Sequence, residues 1–209
     1  MSPQTVNRLL ATLLLVLLNI TTSTASHSKA RLNIYFEAQN MESTHFFKTQ
    51  LLPLYENTEL GNRIELRLVP YGRSHCDNIE KDYVCSCPHG DDECELMYLM
   101  SCVLHDYRHH GHAVDTVACI QGQPSMQAAM DECIAPLRPK QRKWYGQCSN
   151  NFRGHYLTWL QGLRTSALGV PLSNIPFVVL DGHVNDLAIE NLQGEVCAAL
   201  SHPKPSACF

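Results

Sequence analysis

The chain has 209 residues, with ten cysteines and eleven histidines, and its formal net charge is −4 at pH 7. Its one basic cluster, residues 138–143, contains no aromatic residue. A mildly acidic chain of this kind lacks the charge pattern of a nucleic-acid-binding protein, so we expect no nucleic-acid partner.

The first predicted element is a signal peptide at residues 1–25. Arg8 precedes an apolar run, Leu9–Ile20, and small polar residues follow that run. This order is typical of a signal peptide, and the run is shorter than the roughly 20 residues that span a bilayer. We predict cleavage near Ala25, entry into the secretory pathway, and a mature domain of residues 26–209 that has no membrane partner.

The cysteines all follow the predicted signal peptide. An even number of cysteines in an exported chain indicates a disulfide framework, although the spacing leaves the pairing open. The predicted structural disulfides lie among Cys76, Cys85, Cys87, Cys94, Cys102, Cys119, Cys133, Cys148, Cys197 and Cys208.

The start of the mature chain predicts a β-α-β unit. Alternation over Arg31–Phe36 favours a strand, and the polar stretch Asn40–Ser43 suits the start of a helix. We expect Pro53 to kink or end that helix. Period-two alternation returns over Ile64–Pro70 and predicts the second strand.

The middle of the chain differs in character. The segment from Cys85 to about Thr165 is rich in cysteine and has several helix-like stretches, which predicts an inserted helical subdomain. A buried strand, Ile175–Asp181, and a last helix, Leu192–Leu200, follow it. We therefore predict an α/β domain with a thioredoxin-like fold and an inserted, disulfide-rich helical subdomain.

A specific motif begins at Cys87 and reads CPHGDDEC, with a further cysteine eight residues after it. It resembles CQHGxxECxxNxxxxC, the signature of the gamma-interferon-inducible lysosomal thiol reductase (GILT) family. Pro88 and Met97 replace the glutamine and asparagine of that signature. The matching positions are Cys87, His89, Gly90, Glu93, Cys94 and Cys102. The resemblance implies a thioredoxin-like fold, protein-disulfide reduction, and a lysosomal or extracellular location.

The catalytic pair of that family is a Cys-x-x-Cys at the helix start after the first strand. In this chain Asn40 and Ser43 take the two positions, and no cysteine lies between Ser26 and His75. An amide cannot become a thiolate, and a serine hydroxyl does not exchange with disulfides. We predict that no catalytic residue is retained there and that Asn40 and Ser43 act in helix capping. The resemblance further implies a facing loop with a cis-proline at Pro176, and Leu172 replaces the family's histidine before that proline.

Two hypotheses for function remain open at this stage. In the first, the chain binds extended or unfolded polypeptides in a groove between the Asn40 helix start and the Pro176 loop, without reductase activity. In the second, it is an active thiol-disulfide oxidoreductase that uses another pair, with Cys85 and Cys87 as the best candidates. The residues do not decide whether the chain is an enzyme.

Metal sites receive less support from the residue pattern. The group His75, Cys76, Cys87, His89 and Cys94 lacks the paired spacing of a structural zinc site. A second cluster is formed by His105, His109, His110 and His112, of which the first two share a face if the stretch is helical. We interpret this cluster as a solvated surface and expect no metal and no cofactor.

Overall fold

The structure is a computed structural model that describes residues 29–106 and 110–209, except for the side chains of His110 and Gly111. The predicted signal peptide therefore lies outside the described residues. Within the described ranges, no helix combines the length and the apolar character that crossing a bilayer requires.

Six strands occur in the described part of the chain. They are β1 (Ala30–Phe36), β2 (Ile64–Pro70), β3 (His75–Ile79), β4 (Asp82–Ser86), β5 (Phe177–Leu180) and β6 (His183–Val184). Four of them form one sheet in the order β2-β1-β5-β6, with β1 parallel to β2 and antiparallel to β5. β3 and β4 form a separate hairpin.

Helices surround this sheet and fill the middle of the chain. The α-helices are α1 (Met41–Phe46), α2 (Leu52–Glu56), α3 (Thr58–Gly61), α4 (Asp91–His105), α5 (His110–Ile120), α6 (Met126–Ala129), α7 (Pro139–Ser149), α8 (Phe152–Ser166) and α9 (Leu192–Ala199). The α/β fold with an inserted helical region is thus confirmed.

The sheet is buried on both faces, and the alternation of side chains along β1 explains why. Leu32, Ile34 and Phe36 point into the main core, which includes α4, α5 and α9. Tyr35 points the other way, into a second core that contains Val69 and Phe177. Because successive strand residues face opposite sides, one strand contributes to both cores.

Pro53 was predicted to kink or end the first helix, and the helix does not end there. A π-helical segment, Phe47–Leu51, connects α1 to α2, and the helical path continues through Pro53 to Glu56. Proline has no N–H to donate, and it is tolerated in the first turn of a helical segment. The π-helical segment places Pro53 in the first turn of α2, so the alternative in which the helix ends at Pro53 was wrong. The regular α-helical geometry is nevertheless interrupted directly before α2.

The hairpin β3–β4 is the element that the sequence did not predict. Most of its residues are exposed or half-buried, so its hydrophobic alternation is weak. Cys85 lies in β4, and the first inserted helix begins only at Asp91, six residues after the predicted boundary. The helical region ends at Ser166, close to the predicted end at Thr165.

The ten cysteines form five disulfides, with no free thiol among the described residues. The pairs are Cys76–Cys85, Cys87–Cys94, Cys102–Cys148, Cys119–Cys133 and Cys197–Cys208. The first lies across the β3–β4 hairpin, at directly opposed residues. The second and third attach α4 to the preceding loop and to α7. These bonds restrict the unfolded chain, which is how disulfides commonly stabilise small exported domains.

Candidate functional site

The candidate site is the start of α1, which follows β1 after a short loop. Asn40 is the N-cap residue, with extended backbone angles, and its Oδ1 accepts a hydrogen bond from the Ser43 N–H at 2.8 Å. The side-chain oxygen thus satisfies one of the free amide groups of the first turn. The pair that the resemblance aligns with the family's cysteine positions serves here as a helix cap.

Ser43 is fully buried, whereas Asn40 is 8% exposed and Met41 between them is 81% exposed. The Ser43 hydroxyl oxygen finds no hydrogen-bond partner in the part of the chain that the structure describes. A buried unpaired hydroxyl costs free energy, and a thiol, which is a weak donor, would lose less at the same place. The environment of Ser43 is therefore better suited to sulfur than to oxygen.

A buried carboxylate, Glu37, lies three residues before the helix cap. Its Oε1 accepts hydrogen bonds from the backbone N–H and the Nε–H of Arg73, both at 3.0 Å. The Glu37 side chain is fully buried, and its carboxylate raises the pKa of the Arg73 guanidinium, mainly through the side-chain hydrogen bonds between them. The pair joins the end of β1 to the loop after β2. Sequence reasoning missed both residues, although a charged residue directly after a buried strand was an available signal.

Gly72 is required by this arrangement, because its φ is +55° and a Cβ there would lie 2.2 Å from Glu37 Cγ. We predict that Gly72→Ala lowers the free energy of unfolding by about 3 kcal/mol, from backbone strain and overpacking together. Gly169→Ala is the matched control, since Gly169 also has a positive φ of +67° but has no atom within 4 Å of the added carbon. Urea unfolding followed by circular dichroism measures both, and equal losses would contradict the close approach of Gly72 to Glu37.

The signature motif packs against the same loop through Glu93. This fully buried carboxylate accepts hydrogen bonds from the Gln39 N–H at 3.0 Å and from the His89 N–H at 2.9 Å. His89 Nδ1 also lies 2.9 Å from Glu93 Oε1. Glu93 therefore connects the start of α4 with the residue directly before the Asn40 cap. The structure thus brings His89 and Glu93, which both match the signature, next to the helix start. Gln39 and Glu93 are 54 residues apart in sequence.

Glu37, His89 and Glu93 have potential ligand atoms within 4.8 Å of one another. Those atoms already have partners: Glu93 binds two backbone N–H groups, and Glu37 binds the Arg73 guanidinium. A bound cation would have to compete with these contacts and with the positive charge of Arg73. The group is best described as a closed hydrogen-bond network that fixes the loop before α1.

The loop before β5 contains Pro176, and the Ile175–Pro176 peptide bond is cis. Tyr35 is paired with Phe177 in the sheet, so the register places Pro176 at the end of β1 from which the loop to Asn40 leaves. Leu172, the residue in place of the family's histidine, is partly buried against the second core.

A groove of about 350 Å³ lies next to this loop. Its walls come from two segments, the loop after β2 and the loop after α8. They are lined by Tyr71, Gly72, Arg73, Ser74, His75, Thr165, Ser166, Gly169, Val170, Pro171 and Leu172. Arg73 belongs both to this wall and to the Glu37 pair. The groove therefore adjoins the network that holds the helix start. Its position differs from the predicted one, because neither Asn40 nor Pro176 is among its lining residues.

The alternative reactive pair, Cys85 and Cys87, is separated by the disulfide pattern. Cys85 bonds to Cys76 and Cys87 bonds to Cys94. The two sulfurs thus belong to different bridges and do not form a dithiol. The same bonds leave no thiolate for the zinc hypothesis that involved Cys76, Cys87 and Cys94, because a metal ligand must be the free thiolate.

The histidine cluster is divided between elements. α4 ends at His105, α5 begins at His110, and His109 lies outside the described residues. His105 and His112 therefore belong to two helices, and His112 is exposed. Burial lowers the pKa of His105, and the positive charges of Arg153 and Arg164 lower it further.

The fold and the helix-start site define a class of protein. The chain is similar to the reduced form of DsbG from Mycobacterium tuberculosis, with a TM-score of 0.59, 14% identity, and coverage of 90% of this chain and 87% of the other. It is also similar to Chlamydia trachomatis DsbA, with a TM-score of 0.57, 13% identity, and coverage of 81% and 85%. The domain therefore has the fold of the thioredoxin-like thiol-disulfide oxidoreductases.

Sequence comparison gives the family within that class. The profile described as "Gamma interferon inducible lysosomal thiol reductase (GILT)" matches residues 31–137. GILT-like protein C02D5.2 of Caenorhabditis elegans is 34% identical over 178 residues, which are 85% of this chain and 54% of that relative. The gamma-interferon-inducible lysosomal thiol reductase of Carassius auratus is 26% identical over 187 residues, which are 87% and 72% of the two chains. The chain belongs to the GILT family, and it spans about half the length of the nematode relative.

Proposed function

We propose that this GILT-family chain binds extended polypeptides beside the α1 helix start and does not reduce disulfides there. One observation carries the proposal: Asn40 and Ser43 form a hydrogen-bonded helix cap at the positions where the family has its thiols. Thiol-disulfide exchange begins with attack by a thiolate, and neither side chain can form one.

The groove supports the binding part of the proposal. It lies along the Pro171–Leu172 loop, and Val170 on its wall is 48% exposed. Exposed apolar residues in a concave surface are typical of sites that take a partner. Backbone atoms of an extended chain need polar partners, and Arg73, whose side chain is 54% exposed, provides such a group on the other wall.

An exposed apolar stripe on α8 would lengthen this surface. Phe152, Tyr156 and Leu163 are 50%, 36% and 48% exposed, and they follow one side of the helix. Tyr83 of the hairpin contacts the rings of Phe152, Tyr156 and Trp159 at centroid distances of 5.6, 5.6 and 4.8 Å. The end of α8 lines the groove through Thr165 and Ser166. Aromatic residues on an exposed surface are common anchors for partner chains.

The location that we propose is the secretory pathway, with the lysosome or the extracellular space as the destination. It rests on the signal peptide predicted at residues 1–25, on the cysteine-rich composition and on membership of the GILT family. We propose no cofactor and no nucleic-acid partner.

The binding proposal is tested with an unfolded polypeptide whose cysteines have been alkylated, so that capture cannot occur through a mixed disulfide. Fluorescence anisotropy should detect saturable binding, and Val170→Glu should weaken it at least about fivefold, because a charge would be desolvated in the groove. Val184→Glu is the matched control, since Val184 is 47% exposed and lies outside the groove. Equal affinity of both variants would contradict the groove as the binding site.

The inactivity proposal has its own test. Alkylation under denaturing, non-reducing conditions followed by mass spectrometry should find no free thiol, and the purified mature protein should not accelerate insulin reduction at pH 5 or pH 7. Robust turnover by the wild-type protein would overturn this part of the proposal while leaving the binding result intact.

A further inference from the structure

A cavity of about 400 Å³ lies away from the helix start, at the open edge of the sheet. We call it the basic cavity. It is enclosed by the edge strand β2, the C-terminal end of α4 and one side of α8. It is lined by Leu66, Arg67, Leu68, Ser101, Leu104, His105, Leu157, Leu160, Gln161 and Arg164.

The charges in this lining have one sign. Arg67 from β2, Arg164 from α8 and His105 from α4 are the ionisable residues, and no aspartate or glutamate is among the lining residues. Within the described residues, neither arginine has a carboxylate oxygen within 4.0 Å. Two guanidinium groups on one lining that have no carboxylate within 4.0 Å repel each other, so an anion would stabilise this pair of arginines.

The charges of the Arg67 and Arg164 guanidinium groups both affect the Tyr35 hydroxyl. Burial raises the pKa of its hydroxyl, and the positive charges of Arg67 and Arg164 both oppose that rise. The arginines come from different elements but are close enough to influence one buried phenol. Arg164 is oriented further by Gln161, whose Oε1 accepts a hydrogen bond from Arg164 Nη1 at 2.8 Å.

The rest of the lining consists of two polar residues, Ser101 and Gln161, and five leucines from β2, α4 and α8: Leu66, Leu68, Leu104, Leu157 and Leu160. A cavity of several hundred cubic ångströms that combines apolar side chains with a few convergent polar groups is typical of a small-molecule site. A ligand that satisfies both parts must carry a negative headgroup and an apolar body.

We propose that the basic cavity binds a small amphipathic anion, with its sulfonate-, phosphate- or carboxylate-type headgroup on Arg67 and Arg164 and its alkyl or aromatic part against the leucines. Guanidinium groups bind such oxyanions by paired, charge-assisted hydrogen bonds. The site shares no lining residue with the groove along the Pro171–Leu172 loop, and it does not depend on polypeptide binding.

Isothermal titration calorimetry with octane-1-sulfonate tests the proposal, because a sulfonate stays ionised from pH 5 to pH 7. Inorganic sulfate supplies the headgroup alone, and octanol supplies the alkyl chain alone. We expect saturable binding of octane-1-sulfonate and at least about tenfold weaker binding of sulfate, since sulfate buries no methylene groups. Affinity for octanol equal to that for the sulfonate would overturn the assignment.

Variants of the two arginines make the test specific. Arg67→Gln/Arg164→Gln should weaken binding of octane-1-sulfonate at least about tenfold, through loss of charge-assisted hydrogen bonds. Arg138→Gln/Lys140→Gln removes the same charge from exposed positions outside the cavity and should leave the affinity unchanged. Both arginines in the cavity are exposed, so the variants should fold, which circular dichroism and thermal unfolding verify. Full affinity in the cavity variant would overturn the proposal.

His105 gives the site an expected pH dependence. Its pKa is lowered, first by burial and then by Arg153 and Arg164, while the neighbouring Asp106 opposes the change. The imidazole therefore carries more charge at pH 5 than at pH 7, and the anion should bind a few-fold more tightly at pH 5. His105→Gln should remove that difference. Binding that is independent of pH in the wild-type protein would exclude His105 from the site.

Discussion

The double variant Asn40→Cys/Ser43→Cys is expected to gain thiol-disulfide exchange activity, which we propose is absent from the wild-type chain. The two positions are the N-cap and the third residue of α1, where free amide groups and the helix dipole stabilise a thiolate. The first is 8% exposed and lies next to the exposed Met41, so we expect its thiolate to reach a substrate, whereas the second is fully buried and can resolve the mixed disulfide. We expect insulin reduction on the order of 100-fold above the wild-type background, because the wild-type site has no nucleophile.

The two substitutions should destabilise the protein too little to prevent this gain of activity. Asn40→Cys removes the hydrogen bond that the Ser43 N–H donates to the Asn40 side chain, at a cost of about 1 kcal/mol. Ser43→Cys removes a buried hydroxyl that has no partner within the described part of the chain, which offsets some of that cost.

The single variants are the controls for this prediction. Asn40→Cys alone should form mixed disulfides that accumulate, because no second thiol resolves them. Ser43→Cys alone should remain inactive, because the buried position cannot reach a substrate. If the double variant is folded, carries two reactive thiols and still reduces no insulin, the helix start is not a competent site in this chain.

Loss of the Glu93 carboxylate is the second large effect that we expect. Glu93→Ala should lower the free energy of unfolding by about 3–5 kcal/mol. The Gln39 N–H and the His89 N–H would both lose a charged acceptor in a buried place. Glu93→Gln should cost about 2 kcal/mol, since its amide NH₂ faces an N–H where the second carboxylate oxygen accepted a bond.

Asp92 provides a matched control on the same turn of α4, because it is acidic but exposed. Asp92→Asn should change stability by no more than about 0.5 kcal/mol. Urea unfolding followed by tryptophan fluorescence measures all three variants with the disulfides intact. A Glu93→Ala protein as stable as Asp92→Asn would show that the signature does not hold the loop before the helix start.

The strands that frame the site were predictable, because hydrophobic alternation is a local property. β2 has the predicted bounds, and β1 begins one residue earlier than expected. The β3–β4 hairpin was not predictable, since Cys76 and Cys85 stabilise it by pairing across the strands while most of its other side chains are exposed. Hydrophobic alternation arises from buried side chains, and this hairpin has few of them.

Part of the candidate site was also predictable from the local sequence. Asn40 and Ser43 were predicted as helix-start residues, and the structure places them as a cap. Glu37 and Arg73 were missed, because their importance arises only when the loop after β2 reaches the end of β1. A residue pair that is 36 positions apart leaves no periodic signal.

The sequence by itself determined what the helix start is made of: an amide and a hydroxyl at Asn40 and Ser43, with every cysteine located later in the chain. It also identified the family, through the motif that begins at Cys87. Only the tertiary structure decided which sulfurs join and that Glu93 holds the loop before Asn40. Those contacts span up to 54 residues, and a long-range contact forms only when the packing of the whole domain brings its two segments together.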